Sequence, residues 1–292
     1  MDRFVESLLL GFPIPGIFLV QQPDKTLLVL DGQQRLGTLQ RFYAGDLASG
    51  APFVLENVAE EFKGLTYAAL DGEQRRTLDN TFIHATVVKY NQALGGDESV
   101  YSLFERLNTG GTNLYPQEIR VALYNGRLVE LLRELNGNRD WREIYGPPAE
   151  RLKDQELILR FLAFYENAAN YQRPLKIFLN EFLAKHKDLQ DLDADNLRRV
   201  FERTCAIASS TLGRSALRAD SQINAAFADA ILVGLARRVM LGPIEDPEAL
   251  VQVRADLLND QDFISAIARA TADEERVSRR LALSEAAFQA VR

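Results

Sequence analysis

Residues 27–42 read LLVLDGQQRLGTLQRF and join a short apolar run to a helical pattern. The run ends at Asp31 and Gly32, and the helical pattern opens with Gln33, Gln34 and Arg35. We expect a strand that turns through glycine into a helix. Such a turn gathers unpaired backbone N–H groups at the positive end of the helix dipole, where proteins bind anions. The stretch therefore predicts a phosphate site, although no GxxxxGK[ST] string makes it a P-loop.

Polar side chains add donors to this turn. Gln33, Gln34 and Arg35 would point at the anion, and the Thr38 hydroxyl would follow one helical turn later. The alternative interpretation is purely structural. In that interpretation Asp31 is only the N-cap of the helix and Arg35 is a solvated helix residue, because short motifs of this kind are weakly specific.

Composition sets broad limits on the class of protein. The chain has 292 residues, is 47% apolar and 26% charged, and carries a formal net charge of −7. These values are typical of a soluble globular protein, and the acidic balance argues against DNA binding driven by total charge. Cys205 is the only cysteine, so we expect no disulfide, no cysteine metal cluster and a reducing, cytoplasmic setting. Pro13 and Pro15 break the apolar stretch 7–20, so no membrane partner is expected.

The order of patterns predicts an α+β fold, in which a small mixed sheet with helices is followed by a mostly α-helical domain. We predict strands at 17–20, 26–30 and 81–90, and helices at 33–43, 98–107, 117–124 and 127–135. Apolar stripes at helical spacing, at 157–165 and 223–239, are expected in the helical core. The break Gly146-Pro147-Pro148 places the domain boundary, giving domains 1–146 and 147–292.

A second polar motif follows the helix predicted at 98–107. Residues 104–114 read FERLNTGGTNL, and a new helix begins near Pro116. Two adjacent glycines allow backbone shapes closed to other residues, and consecutive N–H groups in such a loop can form an anion nest. The candidate binding residues here are Arg106, Asn108, Thr109, Gly110, Gly111 and Thr112, and Arg120 flanks the loop on its other side. The alternative is a glycine C-cap followed by a simple connection.

Other stretches carry weaker signals. Residues 71–76, DGEQRR, echo the first box, but we interpret them as a turn and a solvated helix start. The two histidines are His84, expected to be structural, and His186, expected to be solvated between two lysines. An HNH nuclease needs a histidine base and metal ligands close together, so we predict no nuclease site and no protein metal site.

Taken together, the two motifs resemble the ParB-like family called domain of unknown function 262. Its pattern is a DGQQR box followed by FxRLNTGGxxLxxQEIR, and here these strings lie at 31–35 and 104–120. Further matches lie at 7–18, 154–164, 175–182 and 224–230, so the resemblance covers nearly the whole chain. The family forms the N-terminal part of GmrSD-type modification-dependent restriction enzymes and related phage-defence proteins.

The resemblance implies a ParB/sulfiredoxin-like fold with a helical extension and a nucleotide site at the DGQQR box. It implies NTP, with Mg²⁺ as a candidate companion, as the cofactor, and Asp31, Gln34 and Arg35 as the candidate catalytic residues of a nucleoside triphosphatase. Relatives carry further chain before Phe4, with a tyrosine–glutamine–arginine segment that completes the same site. We therefore expect one of three explanations: the natural reading frame starts earlier, this sequence is a piece of a longer protein, or the pocket is incomplete.

Three functions remain open at this point. The first is a nucleotide-binding and NTP-hydrolysing module in restriction or phage defence. The second is a non-catalytic module that binds DNA or senses its modification, with DNA or a separate nuclease or defence protein as partner. The third is an interaction domain whose site has decayed. A collapsed pocket around Arg35 would favour the third, and a basic groove would favour the second.

Overall fold

A computed structural model describes residues 1–21, 25–47, 50–89, 96–107 and 115–291. The chain divides into two compact units, Met1–Asn113 and Leu114–Arg292. The first contains a small mixed sheet with helices and the second is helical, which confirms the predicted α+β class. This division by packing lies before the domain boundary predicted at residues 146–147, and that boundary stays a prediction.

The sheet of the first unit has three strands in the order β2-β1-β3, namely β1 (Ile17–Gln21), β2 (Leu27–Asp31) and β3 (Ala85–Lys89). Strand β1 pairs antiparallel with β2 and parallel with β3. The third strand begins at Ala85 rather than at residue 81, where the alternating pattern starts. Strand β1 begins at Ile17, which pairs with Ala85, so residues 81–84 have no residue of β1 opposite them. Phe82 is 85% exposed.

The described part of the first unit contains four α-helices. They are α1 (Asp2–Leu9), α2 (Gln33–Ala44), α3 (Gly72–Asp79) and α4 (Gly96–Leu107). Val5 and Leu8 from α1 and Phe42 from α2 are buried together, with residues of the segment that follows α2. Asp71 caps α3 through a capping box with Gln74, so the structural interpretation of the second DGxQR-like string is confirmed.

The second unit is built from ten helices in its described residues. They are α5 (Pro116–Leu123), α6 (Arg127–Asn136), α7 (Arg139–Tyr145), α8 (Lys153–Asn167), α9 (Leu175–Lys185), α10 (Ala194–Thr211), α11 (Ala225–Leu241), α12 (Ala249–Asn259), α13 (Gln261–Ala268) and α14 (Glu274–Gln289). The two predicted apolar stripes lie on α8 and α11, which are buried as expected. A Cβ at Gly234 would lie 2.5 Å from the Ser284 hydroxyl oxygen, so α14 approaches α11 closely there.

Two further observations concern predicted surface properties. Among the described residues, no helix is long and apolar enough to cross a membrane. His186 is 7% exposed and its ring lies 4.9 Å from that of Phe182, so the prediction of a solvated histidine is wrong. Burial lowers the pKa of His186, since the protonated ring would lose its hydration.

The core of the second unit contains a buried ionic triad. Arg160 donates from Nε to Asp229 Oδ1 at 2.9 Å and from Nη2 to Oδ2 at 2.6 Å. Arg280 donates to the same Oδ2 at 2.9 Å, and Asp229 is 2% exposed. One carboxylate therefore compensates two buried guanidinium groups from α8 and α14.

We predict that Asp229→Asn lowers the free energy of unfolding by about 3–5 kcal/mol, because it leaves both arginines buried without a counter-charge. The matched control is Asp262→Asn, which removes an exposed ion pair with Arg279 and should cost less than about 1 kcal/mol. Urea denaturation followed by circular dichroism measures both changes. Equal losses in the two variants would contradict the role given to the triad.

Candidate functional site

The turn between β2 and α2 is formed by Gly32. Its φ of 99° lies in the left-handed region, and a Cβ there would lie 2.4 Å from Ile17 Cγ2. Side chains other than glycine are excluded twice, by backbone strain and by the strand beneath. The predicted passage from strand through glycine to helix is therefore confirmed, and α2 begins at Gln33 as predicted.

No described side chain caps the N-terminus of α2, since the N-cap residue is Gly32 itself. The interpretation of Asp31 as the N-cap is therefore wrong. Its carboxylate instead accepts a hydrogen bond from Arg35 Nη2 at 2.5 Å. The first turn is therefore left without a side-chain cap among the described residues, at the positive end of the helix dipole.

Arg35 is bonded on both terminal nitrogens. Nη1 donates to the carbonyl oxygen of Pro15 and to that of Gly16 at 3.0 Å, while Nη2 donates to Asp31. Its side chain is only 20% exposed. The interpretation of Arg35 as a solvated helix residue is therefore wrong, because the guanidinium joins the segment before β1 to the end of β2.

A cavity of about 650 Å³ opens beside the N-terminal half of α2. Its lining comes from two helices of the first unit, α1 and α2. The lining residues are Met1, Phe4, Gln33, Gln34, Arg35, Gly37, Thr38 and Arg41. Four predicted site residues, from Gln33 to Thr38, are thus brought together at one cavity, whereas Asp31 and Gly32 contribute by shaping the turn.

Two of these side chains already donate hydrogen bonds to backbone carbonyl oxygens. Thr38 is buried, and its hydroxyl donates to the carbonyl oxygen of Gln34 at 2.7 Å. The Gln33 amide donates to the carbonyl oxygen of Val29 at 3.3 Å. Thr38 therefore offers an acceptor rather than the donor that its position suggested, while Gln34 is exposed at the cavity.

Sequence reasoning missed Arg41, Gly37, Phe4 and Met1. Gln33, Gly37 and Arg41 are four residues apart, so they form one ridge of the helix, and this spacing is the signal that could have identified the last two. Arg41 Nη1 lies 3.8 Å from Met1 Sδ, and Arg41 forms no ion pair with any other described residue.

The cavity is cationic in its lining. Two arginines line it and none of its described lining residues is acidic, although the chain as a whole has a net charge of −7. Asp31 balances Arg35, which leaves the charge of Arg41 uncompensated. An anion is the ligand that this lining favours.

Most of the second motif lies outside the described residues. Asn108, Thr109, Gly110, Gly111 and Thr112 lie outside the described residues, so their place in the site stays a prediction. Arg106 lies exposed in the last turn of α4.

Arg120, which follows the same loop, has a clear structural role in the second unit. It is 2% exposed and donates to Asn180 Oδ1 at 2.8 Å and to Glu156 Oε2 at 2.9 Å. These bonds join α5 to α8 and α9. This end of the second motif therefore serves packing of the helical core.

The strand–glycine–helix turn and the cationic cavity beside it define an α+β domain built around the DGQQR segment. Residues 1–125 match the family model of the GmrSD restriction endonuclease, N-terminal domain. This part of the chain is therefore similar to the N-terminal domain of a restriction endonuclease, which indicates a restriction or defence module. Comparisons with curated proteins and with solved structures gave no match.

Replacement of two glycines of the site by alanine should change the free energy of unfolding in opposite directions. Gly32→Ala should lower the free energy of unfolding by about 1–3 kcal/mol, because it combines a strained φ with a clash against Ile17. Gly37→Ala should raise it by about 0.5–1 kcal/mol, since a Cβ there meets nothing within 4 Å and glycine disfavours a helix interior. Thermal melts measure both, and a stable Gly32→Ala variant would refute the account of the turn.

Proposed function

We propose that the cavity beside α2 binds a nucleotide, with its phosphates at the helix N-terminus. The observation that carries the proposal is a helix N-terminus without a side-chain cap, whose first residues line a cavity together with two arginines and, among the described lining residues, no carboxylate. The helix dipole and the amide donors favour negative charge at the first turn of α2, and the uncompensated guanidinium of Arg41 favours it farther along the same cavity. The match of residues 1–125 to the N-terminal domain of a restriction endonuclease is compatible with a nucleotide-regulated module.

Within this proposal the residues of the DGQQR segment have different tasks. Gln33 and Gln34 offer side-chain amides at the cavity. Gln34 is the candidate for orienting the water that hydrolyses the nucleotide, as a glutamine does in GTPases. Asp31 and Arg35 fix the turn through their ion pair. Hydrolysis would therefore depend on Gln34 at the cavity and on Asp31 through the position of Arg35.

The donor set does not fit a dedicated magnesium site. Asp31 is bound to Arg35, the lining residues contain no acid, and no cluster of three metal-ligating side chains occurs among the described residues. Mg²⁺ prefers carboxylates together with substrate phosphates. Any Mg²⁺ at this cavity would have to be held by the phosphates themselves.

Two observations favour this function over the alternatives. The cavity beside Arg35 is open, whereas a decayed site would be expected to have collapsed. In the second unit, Arg120, Arg160 and Arg280 are buried and donate to protein acceptors, so these arginines are not offered to DNA phosphates. A partner nuclease remains compatible with the restriction family.

The test uses Gly37→Leu, because Arg35→Ala would also weaken the turn. A Cβ at Gly37 enters open space, so leucine should fill the cavity without disturbing α2. Gly72→Leu on α3 adds the same side chain where a Cβ also meets nothing within 4 Å, and it is the matched control. Melting temperatures are measured for wild type and both variants with ATP, GTP, CTP or UTP, each with Mg²⁺.

We expect at least one nucleotide to raise the melting temperature of the wild type and of Gly72→Leu. A ligand at 100 times its Kd adds about 2.7 kcal/mol to the free energy of unfolding. Gly37→Leu should remain folded and show no shift. The proposal fails if no nucleotide stabilises the wild type, or if Gly37→Leu keeps the full shift.

A further inference from the structure

The two arginines of the cavity differ in what they are bonded to. Both terminal nitrogens of Arg35 donate to protein oxygens of Pro15, Gly16 and Asp31. Arg41 contacts only the thioether of Met1, which is a weak acceptor, and it forms no ion pair within the described part of the chain. The guanidinium donors of Arg41 are therefore the ones left for a ligand.

Helix geometry directs Arg41 toward the N-terminus of α2. Side chains on a helix lean back over the preceding turn, so the side chain of Arg41 covers the position four residues earlier. That position is Gly37, and a Cβ there would meet nothing within 4 Å. Because residue 37 is glycine, no side chain at that position blocks the space between Arg41 and the first turn of α2.

The distance from the first turn of α2 to Arg41 determines how long a ligand must be to contact both. Gln33 and Arg41 are eight residues apart, or about 12 Å along a helix axis that rises about 1.5 Å per residue. A single phosphate at the first turn would not also meet Arg41. A chain of two or three phosphates lying over Gly37 would extend toward Arg41, whose long side chain covers the rest.

We infer that Arg41 is the residue that binds the distal phosphates of a nucleoside di- or triphosphate, whereas Arg35 is a positioning residue that holds the turn. The inference rests on the proposed function and deepens it, because it names the part of the ligand that is recognised. It also assigns a preference for polyphosphates over monophosphates. The contact that sets this preference lies outside the DGQQR segment.

The test measures Kd by isothermal titration calorimetry for ATP, ADP, AMP and inorganic tripolyphosphate, with the GTP, CTP and UTP series in parallel. The variants are Arg41→Gln, which removes the charge, and Arg35→Lys. Arg76→Gln is the matched control, since Arg76 is an exposed arginine on α3 that forms no ion pair with a described residue. Melting temperatures without ligand are recorded for every variant.

Arg41→Gln should weaken binding of the triphosphate and of tripolyphosphate by about tenfold to hundredfold, the value of charge-assisted hydrogen bonds. Its Kd for the monophosphate and its melting temperature should match those of the wild type and of Arg76→Gln. Arg35→Lys should instead lower the melting temperature, and any loss of affinity should be equal for mono- and triphosphates.

The outcomes separate this inference from the function on which it rests. If the wild type binds the triphosphate and Arg41→Gln binds it equally well, the inference is wrong and the proposed function stands. An equal loss for mono- and triphosphates in Arg41→Gln would also overturn it, since Arg41 would then contact another part of the nucleotide. If none of the probes binds the wild type, the proposed function itself fails.

Discussion

The site depends on the bonds of one guanidinium. Arg35 lies in the first turn of α2, yet it donates to the backbone before β1 and to the carboxylate at the end of β2. These bonds hold the end of the hairpin and the start of the helix in one arrangement, and Gly32 allows the chain to turn over Ile17 between them. An arginine suits this position because its planar fork can serve several acceptors at once. The uncapped end of α2 faces the cavity as a consequence.

Two glycines of this region have different physical roles. Gly32 is required because its backbone is left-handed and the strand leaves no space for a Cβ. Gly37 has ordinary helical surroundings and open space above it, so its lack of a side chain costs helix stability without any local steric need. Glycine at this position lowers helix stability but leaves space beside a cavity lined by arginines, and we interpret that space as room for a ligand. The cavity is therefore better explained as a binding site than as a packing defect.

The sequence predicted the local features well and the long-range ones less well. The strand, the glycine turn and the start of α2 follow from patterns within sixteen residues, and the structure confirms them. Asp31 was misjudged because capping and pairing with Arg35 are both compatible with the same spacing, and only the geometry of the turn chooses between them. Arg41 was missed because the cavity exists only once α1 lies beside α2. His186 was misjudged because its lysine neighbours in sequence say nothing about the ring of Phe182 beside it.

Total charge is a poor guide to ligands in this chain. Although the net charge is −7, the cavity lining is cationic, and several arginines of the helical unit are internal cross-links rather than surface charges. A buried arginine that donates to protein acceptors contributes to the net charge but is not open to a ligand, because the protein surrounds it. The charge that attracts an anion is the one without a protein partner at an open cavity. By that criterion, in the binding that we propose, Arg41 matters more for recognition than Arg35 of the DGQQR segment. Arg35 anchors the start of α2 through its protein acceptors, whereas Arg41 on the same helix is open to a ligand.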